Sequence, residues 1–418
     1  MASLDTLSVA SLFCGAGGLD TGFSEAGCKT VYSADIDEAA RSTFRLNTGV
    51  EPSASDLRHI DAMQLSGSDV IIAGPPCQGF SSFRKRGGND PRNGLFVRTA
   101  EIISAVKPAF FVIENVSGIL SHAGGRFASW AMRLIEGAGL VVEAIQIECV
   151  YFGVPQRRKR VIFLGGSQRF AGKAITAFRE RCSIQHRSPP LSVGTALHGL
   201  PLTGSSAVAN HVPKHHSPAW YPVVIQRIGP GQKLCDTRLA GTSVHSWDIP
   251  SVFGRVSPQE VAVLECLARL RRQSSGRRYA HLGDGKPVTL CQLQSATGEE
   301  SGALRLLLHD LGEKGYIKLT SGRYVDLTRK FNGRFKRLDP GEPAPAVTRD
   351  FGSPRTVLHP TENRGLTVRE CARLQGFSDS FVFSGSVTKQ YQLVANAVPP
   401  PVSRVLAACI EAALKGVS

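Results

Sequence analysis

The chain holds ten cysteines but not one C-x-x-C pair, which argues against both a disulfide framework and a thiolate zinc site. Around His211, His215 and His216 there is no carboxylate or cysteine at ligand spacing, so no metal is expected. No apolar run reaches the ~20 residues a membrane helix needs, and Met1-Ala2-Ser3-Leu4-Asp5 lacks the basic start of a signal peptide. These absences point to a reduced, cytosolic protein without a membrane partner. Acidic residues are scarce: 34 Asp plus Glu face 49 Lys plus Arg, a formal charge of +15 and a pI of about 9.6. Such an excess draws a chain toward polyanions at long range. With 42% hydrophobic and 20% charged residues there is little room for long disorder, and 418 residues suffice for two lobes.

What is present in the first half is an alternation of apolar runs and helical patterns. Strands are expected at Ser8 to Phe13, Lys29 to Ala34, Asp69 to Ala73, Ala109 to Ile113 and Arg160 to Gly165. Helices fit between them at Leu19 to Ala26, Glu38 to Leu46, Gly94 to Val106 and Phe127 to Gly137. Repeated β-α units of this kind build a mostly parallel α/β sheet whose ligands gather at the carboxyl ends of the strands. After about Gly166 the sequence turns rich in Pro, His, Ser and Arg, with Ser188-Pro189-Pro190 as a boundary. Beyond it, a basic helix over Ser257 to Arg272 is followed by Leu290 to Thr297, Ser301 to Lys314 and Tyr316 to Asp326. Helix, turn, helix and hairpin in that order is winged-helix-like. An apolar helix over Val402 to Lys415 ends the pattern.

Three short segments carry chemistry. Cys77 follows Pro75 and Pro76, which hold the backbone extended and supply no N–H, so the thiol sits on a stiff loop beyond a strand. A free thiol is only ~3% thiolate at pH 7, and Arg84, Lys85 and Arg86 offer the positive charge a nucleophile needs. Most free cysteines are inert small hydrophobes, so this pair of prolines alone is weak. Glu114-Asn115-Val116 directly follows the apolar run Phe110 to Ile113, where a poorly solvated acid suits protonating or holding a ring nitrogen. The plain alternative is a helix cap or surface acid. In Gln156-Arg157-Arg158-Lys159-Arg160, guanidinium forks could hold a carbonyl or phosphate oxygen, although a basic cluster is usually a solvated face.

In this order and each at a strand end, these segments resemble the signature blocks of the DNA (cytosine-5-)-methyltransferases of prokaryotic restriction-modification type. The resemblance covers residues 8 to 166 and 340 to 402, and takes in Phe13-Cys14-Gly15-Ala16-Gly17-Gly18, Arg369 to Phe377 and Gln392 to Pro399. A dinucleotide G-x-G-x-x-G would need glycine at position 20, where Asp20 stands, so S-adenosyl-L-methionine (AdoMet) is the better cofactor. The resemblance implies a Rossmann-like AdoMet-binding domain over 1–187 plus 362–418. It implies a smaller target-recognition domain over 188–361, within which the residue pattern, not the resemblance, marks 257–332 as a winged-helix-like insertion. AdoMet would be held by Phe13, Gly15, Gly17, Asp35, Ile36, Asp56, Leu57, Pro76, Leu95, Asn396 and Val398. Among these, Phe13 and Ile36 pack on the adenine, Asp35 binds ribose, and Asp56 with Leu57 reads the adenine edge. Cys77 would attack carbon 6 of a flipped cytosine while Glu114 serves ring nitrogen 3, Arg158 holds the 2-carbonyl oxygen, and Asn115 and Arg160 hold the loops. Ala395 stands where the family has glycine.

The partners implied are double-stranded DNA and a cognate restriction endonuclease, with the enzyme acting as a monomer. An RNA cytosine-5 methyltransferase acting on transfer RNA has the same chemistry, but the long region 188–361 favours duplex DNA. A DNA-binding regulator built on the winged-helix-like segment is a further alternative, set against the complete catalytic set. The target sequence is not legible, because direct readout depends on which side chains face base edges.

Overall fold

In a computed structural model, the structure describes residues 7–76, 93–185, 189–201, 208–213, 218–239, 241–273, 287–328 and 330–415. Cys77 and the basic residues Arg84, Lys85 and Arg86 lie outside them. The chain divides into two compact units, one of 1–212, 340–349 and 367–418, the other of 213–339 and 350–366.

The first unit is built on a six-stranded sheet. In chain order its strands are β1 (Ser8–Leu12), β2 (Lys29–Ala34), β3 (Val70–Ala73), β4 (Phe110–Asn115), β5 (Leu140–Glu148) and, after the two-residue β6 (Gln156–Arg157), β7 (Lys159–Ser167). The spatial order is β2-β1-β3-β4-β7-β5. Neighbours from β2 to β4 are parallel, and β7 alone runs against both β4 and β5. The expected mostly parallel α/β sheet is therefore present, with an additional edge strand β5 that its mixed pattern Leu-Val-Val-Glu-Ala-Ile-Gln-Ile-Glu concealed.

Both faces of the sheet are covered, which explains the unbroken apolar runs of its central strands. Val70, Ile72, Phe110, Val112, Ile162 and Leu164 pack toward α1 (Gly18–Glu25), α5 (Ala171–Gln185) and α8 (Pro400–Lys415). Ile71, Ala73, Phe111, Ile113, Val161 and Phe163 face α3 (Asn93–Val106) and α4 (Arg126–Gly137). The remaining helices of this unit used below are α2 (Glu38–Thr48), α6 (Val368–Leu374) and α7 (Val387–Asn396). The stretch Val387–Lys415 is long and apolar enough to cross a membrane, yet it is two helices packed mostly inside the protein.

Contact between α1 and α8 is close. The Gly22 amide donates to Ser403 Oγ at 2.9 Å, and a Cβ at Gly22 would lie 2.3 Å from the Ser403 and Arg404 backbone. Gly18 is equally restricted, its Cβ position lying 2.3 Å from the Val398 carbonyl.

The edges of the units differ from the expected domain limits. Residues 189–212 stay with the first unit because Val193 N donates to Glu342 O at 2.9 Å and Gly194 N to Pro340 O at 2.8 Å. Asn210 adds a two-way clamp to the Phe383 backbone, both bonds 2.9 Å. The short strand Ala344–Pro345 joins the same unit by pairing in parallel with β6. Residues 362–366 belong instead to the second unit, where Leu366 N donates to Phe351 O at 3.2 Å.

In the second unit, helix Pro258–Gln273, strand Val288–Thr289, helices Leu290–Thr297 and Ser301–Glu313, and strands Ile317–Thr320 and Tyr324–Leu327 follow one another. The first strand pairs with the last, and the last with the middle one, which is winged-helix order. Val263, Leu267, Leu293, Leu304, Leu308 and Val325 form its core. A buried ion pair, Arg271 Nε to Asp326 Oδ1 at 2.7 Å, crosses that core from helix to strand.

Candidate active site

At the carboxyl edge of the sheet, loops after β1 to β4 surround a cavity of about 430 Å³ within the first unit. The chain leaves β1 through Phe13, which adopts a left-handed φ of 53°, and through Gly15 and Gly17 at φ of 56° and 91°. Phe13 and Gly15 line the cavity, whereas Gly17 faces the Phe44 ring of α2, 3.1 Å from where a Cβ would stand. Asp35, beyond β2, accepts from Gly15 N at 3.0 Å and from Asp37 N at 2.8 Å. Burial pushes its carboxyl up despite these bonds. Ile36 is 71% exposed on the cavity wall, a large apolar surface set where a flat ring could cover it. Asp56 is held well down, to about 2, by the guanidinium of Arg58, and it lines the cavity with buried Leu57. Pro76, Leu95, Asn396 and Val398 complete the wall.

The cavity thus gathers ten of the eleven expected cofactor positions, Gly17 acting one step behind. Two features fit AdoMet: the glycine turn opens onto the N-terminal end of α1, where amides favour a carboxylate, and the cavity holds a buried acid, Asp20, whose oxygens have no partner among the described residues.

Glu114 and Asn115 end β4. Glu114 is 8% exposed and lines the cavity; Asn115 donates from Nδ2 to the Pro75 carbonyl at 3.3 Å, tying the strand end to the loop that leads to Cys77. The register of β4 against β7 sets Glu114 opposite Ile162 and Asn115 opposite Val161. Arg160, one residue further, consequently meets Glu114, its Nε 2.7 Å from Oε1.

Arg158 lines the same cavity, but its guanidinium is engaged with backbone carbonyls. It is 2% exposed, and its Nη2 donates to the carbonyls of Ala395 (2.9 Å) and Ala397 (3.2 Å). The cause lies in the sequence. In a helix ending near Asn396 the carbonyls of residues 395, 396 and 397 would need amide donors at 399, 400 and 401, and all three are prolines. Gln375 Nε2 supplies a second bond to Ala397 O at 2.6 Å. Gln156 bonds Gln375 in turn, donates to Leu374 O at 2.8 Å and accepts from Val347 N at 3.0 Å. Ala395 is an ordinary helical residue of α7, so the glycine usual in the family is not required there.

Three contributors had escaped the sequence reading. Asp20 looks like any acid in a helix's first turn. Gln156 and Gln375 lie within two of the motif segments, but only the structure shows the proline-capped carbonyls and backbone groups they serve.

Comparison with known proteins agrees with this arrangement. The family model for C-5 cytosine-specific DNA methylase matches residues 7–207 and 288–412. Among curated relatives, the Type II methyltransferase M.HgiCI of Herpetosiphon aurantiacus is 30% identical over 423 residues, covering 96% of each chain. The Type II methyltransferase M.BanI of Aneurinibacillus aneurinilyticus is 28% identical, over 93% of this chain and 91% of that one. Of solved structures, the S. pombe Dnmt2 methyltransferase shares the fold with a TM-score of 0.56 at 15% identity, covering 98% of this chain and 99% of that one. A cavity closed by the glycine turn and the Asn396 segment, an acid paired to an arginine beside it, and a family match over both stretches that build them lead to one assignment: the chain belongs to the C-5 cytosine-specific DNA methylase family.

Proposed function

We propose that this DNA cytosine-5 methyltransferase is the modification enzyme of a restriction-modification system, acting as a monomer on one specific double-stranded sequence. Its companion would be an endonuclease that cuts the same sequence. The observation that carries the catalytic reading is the Glu114–Arg160 ion pair on the cavity wall, beside the loop that Asn115 ties down through Pro75.

The target cytosine must leave the duplex, at a cost of a few kcal/mol that contacts to the basic chain offset. Cys77, as thiolate, forms a bond to carbon 6, and the displaced ring electrons move toward nitrogen 3. Glu114 shares a proton with nitrogen 3 as the charge develops and takes it back once carbon 5 has been methylated. Arg160, anchored on Glu114, is the guanidinium placed to donate to the 2-carbonyl oxygen, while Arg158 is engaged in holding the Ala395 and Ala397 carbonyls. Both groups remove negative charge as it develops on the ring, without reorganising. AdoMet, when bound, supplies an electrophilic methyl group to carbon 5. A base then takes the carbon 5 hydrogen, and the Cys77 sulfur leaves as the ring double bond returns.

Bisulfite sequencing of host DNA with and without expression tests the reading and gives the target at once. Cys77→Ala should abolish modification yet leave AdoMet binding intact, and DNA carrying 5-fluorocytosine should trap a denaturation-resistant adduct with the wild type. Substantial turnover by Cys77→Ala, or no adduct with active enzyme, would overturn the thiol assignment.

A further inference from the structure

Asp20 has no part in the scheme above. It sits in the first turn of α1, 2% exposed, and lines the cavity between β1 and the Asn396 segment. Neither of its oxygens has a hydrogen-bond partner among the described residues. The groups that favour its charge are the nearby Ser11 hydroxyl and its own amide, neither in bonding geometry, and burial outweighs them, pushing its carboxyl up to about 7. An acid buried in this way is strongly unfavourable unless something cationic completes it.

The other carboxylates of the cavity are already engaged. Asp35 accepts two amides and Asp56 holds Arg58. The cationic end of the ligand can be placed from its own chemistry. In the turn Gly15 to Gly18 the Gly15 and Gly17 amides already serve Asp35 and the Cys14 carbonyl, which leaves the Ala16 and Gly18 amides and the positive end of α1 to suit the carboxylate of an amino-acid group. The ammonium is carried on the carbon next to that carboxylate, whereas the sulfonium lies several bonds away. A side-chain acid in the first turn of the same helix is therefore set for the ammonium.

We propose that Asp20 is the counter-charge for the α-ammonium of the methionine end of AdoMet, and so selects an amino-acid-bearing cofactor. The inference rests on the AdoMet reading of the cavity. AdoMet and its product S-adenosylhomocysteine share the ammonium, so both gain from Asp20, and an analogue without the amino group does not.

Calorimetric titration at pH 8, where Asp20 is ionised, tests this on the full chain with three probes: AdoMet, S-adenosylhomocysteine and 5′-S-(3-carboxypropyl)-5′-thioadenosine, the deaminated product. The wild type should bind S-adenosylhomocysteine at least about tenfold more tightly than the deaminated analogue, and Asp20→Asn should lose that preference while weakening AdoMet by a similar factor. Asp20→Ser serves if the asparagine variant does not fold. A wild-type preference near one overturns the proposal without any variant, and so does a variant that keeps the full preference. Failure of the wild type to bind AdoMet at all would instead remove the underlying cofactor reading.

Discussion

Replacing Arg158 with methionine removes a guanidinium from under the Asn396 turn and keeps an unbranched side chain of similar reach in a site that is 2% exposed. Two carbonyls lose a donor, but unequally. Ala397 O retains Gln375 at 2.6 Å, whereas Ala395 O faces Pro399 in sequence and has no amide to turn to. One buried acceptor left unmade costs about 1–3 kcal/mol. If that cost appears as opening of the 395–398 segment, AdoMet affinity falls roughly 5- to 150-fold. Arg160→Met leaves those carbonyls untouched and removes the partner of Glu114, so AdoMet should bind within about twofold of wild type while turnover falls by about 10²–10³. Calorimetry for AdoMet, a thermal melt and a single-turnover assay on DNA separate the two variants. An Arg158→Met protein with wild-type AdoMet affinity and melting temperature but no turnover would refute this assignment and return Arg158 to the ring-contact role expected of it.

Gly22→Ala should lower the melting temperature, by about 1–3 kcal/mol of overpacking, because its Cβ would meet α8 backbone at 2.3 Å; helix propensity alone predicts a gain, so a higher melting temperature would exclude the tight contact. Asp20 titrates from 3.8 in the unfolded chain to about 7 in the folded one, so the folded chain holds the extra proton between those values. Its contribution to stability therefore declines as pH rises through that window and levels off above it. Melting of the ligand-free wild type and Asp20→Asn from pH 5 to 8 should show a gap that widens toward pH 8 in favour of asparagine, and a constant gap would contradict the burial argument. Asp326→Asn strips buried Arg271 of its carboxylate, at a cost of about 3–5 kcal/mol, and should expose the 258–327 segment to protease while AdoMet binding by the first unit survives.

The central strands were legible because residues such as Val70 to Ala73 and Phe110 to Ile113 are buried on both faces, leaving continuous apolar runs bounded by polar turns. Strand β5 lies at the sheet edge, where one face is partly solvated, and its mixture of Glu, Gln and aliphatic residues gives no clean period. Most of the cavity wall was legible from motifs at strand ends. Which arginine meets Glu114 was not. Residues 158 and 160 would share a face in a continuous strand, but the ladder breaks at Arg158 between β6 and β7, and the side chain turns to the proline-capped carbonyls instead. Such a break depends on a two-residue pairing with Ala344–Pro345, far away in the chain and too short to leave a pattern. The domain edges were missed for the same reason: a few backbone bonds across large sequence separations decide them.

The union of α1 with α8 also has a consequence in time. Gly22 and Ser403 are 381 positions apart, and Val398 closes over Gly18 from the same distant segment. At roughly 5–20 residues per second of synthesis, a ribosome delivers the second partner about 20–80 s after the first. For most of that interval the growing chain carries Cys77 but no finished pocket for a methyl donor. A translation product cut short before Val398 would lack the wall that Val398 gives the cavity and the α8 face against which α1 packs, so the methyl-donor pocket is completed only after this segment is made.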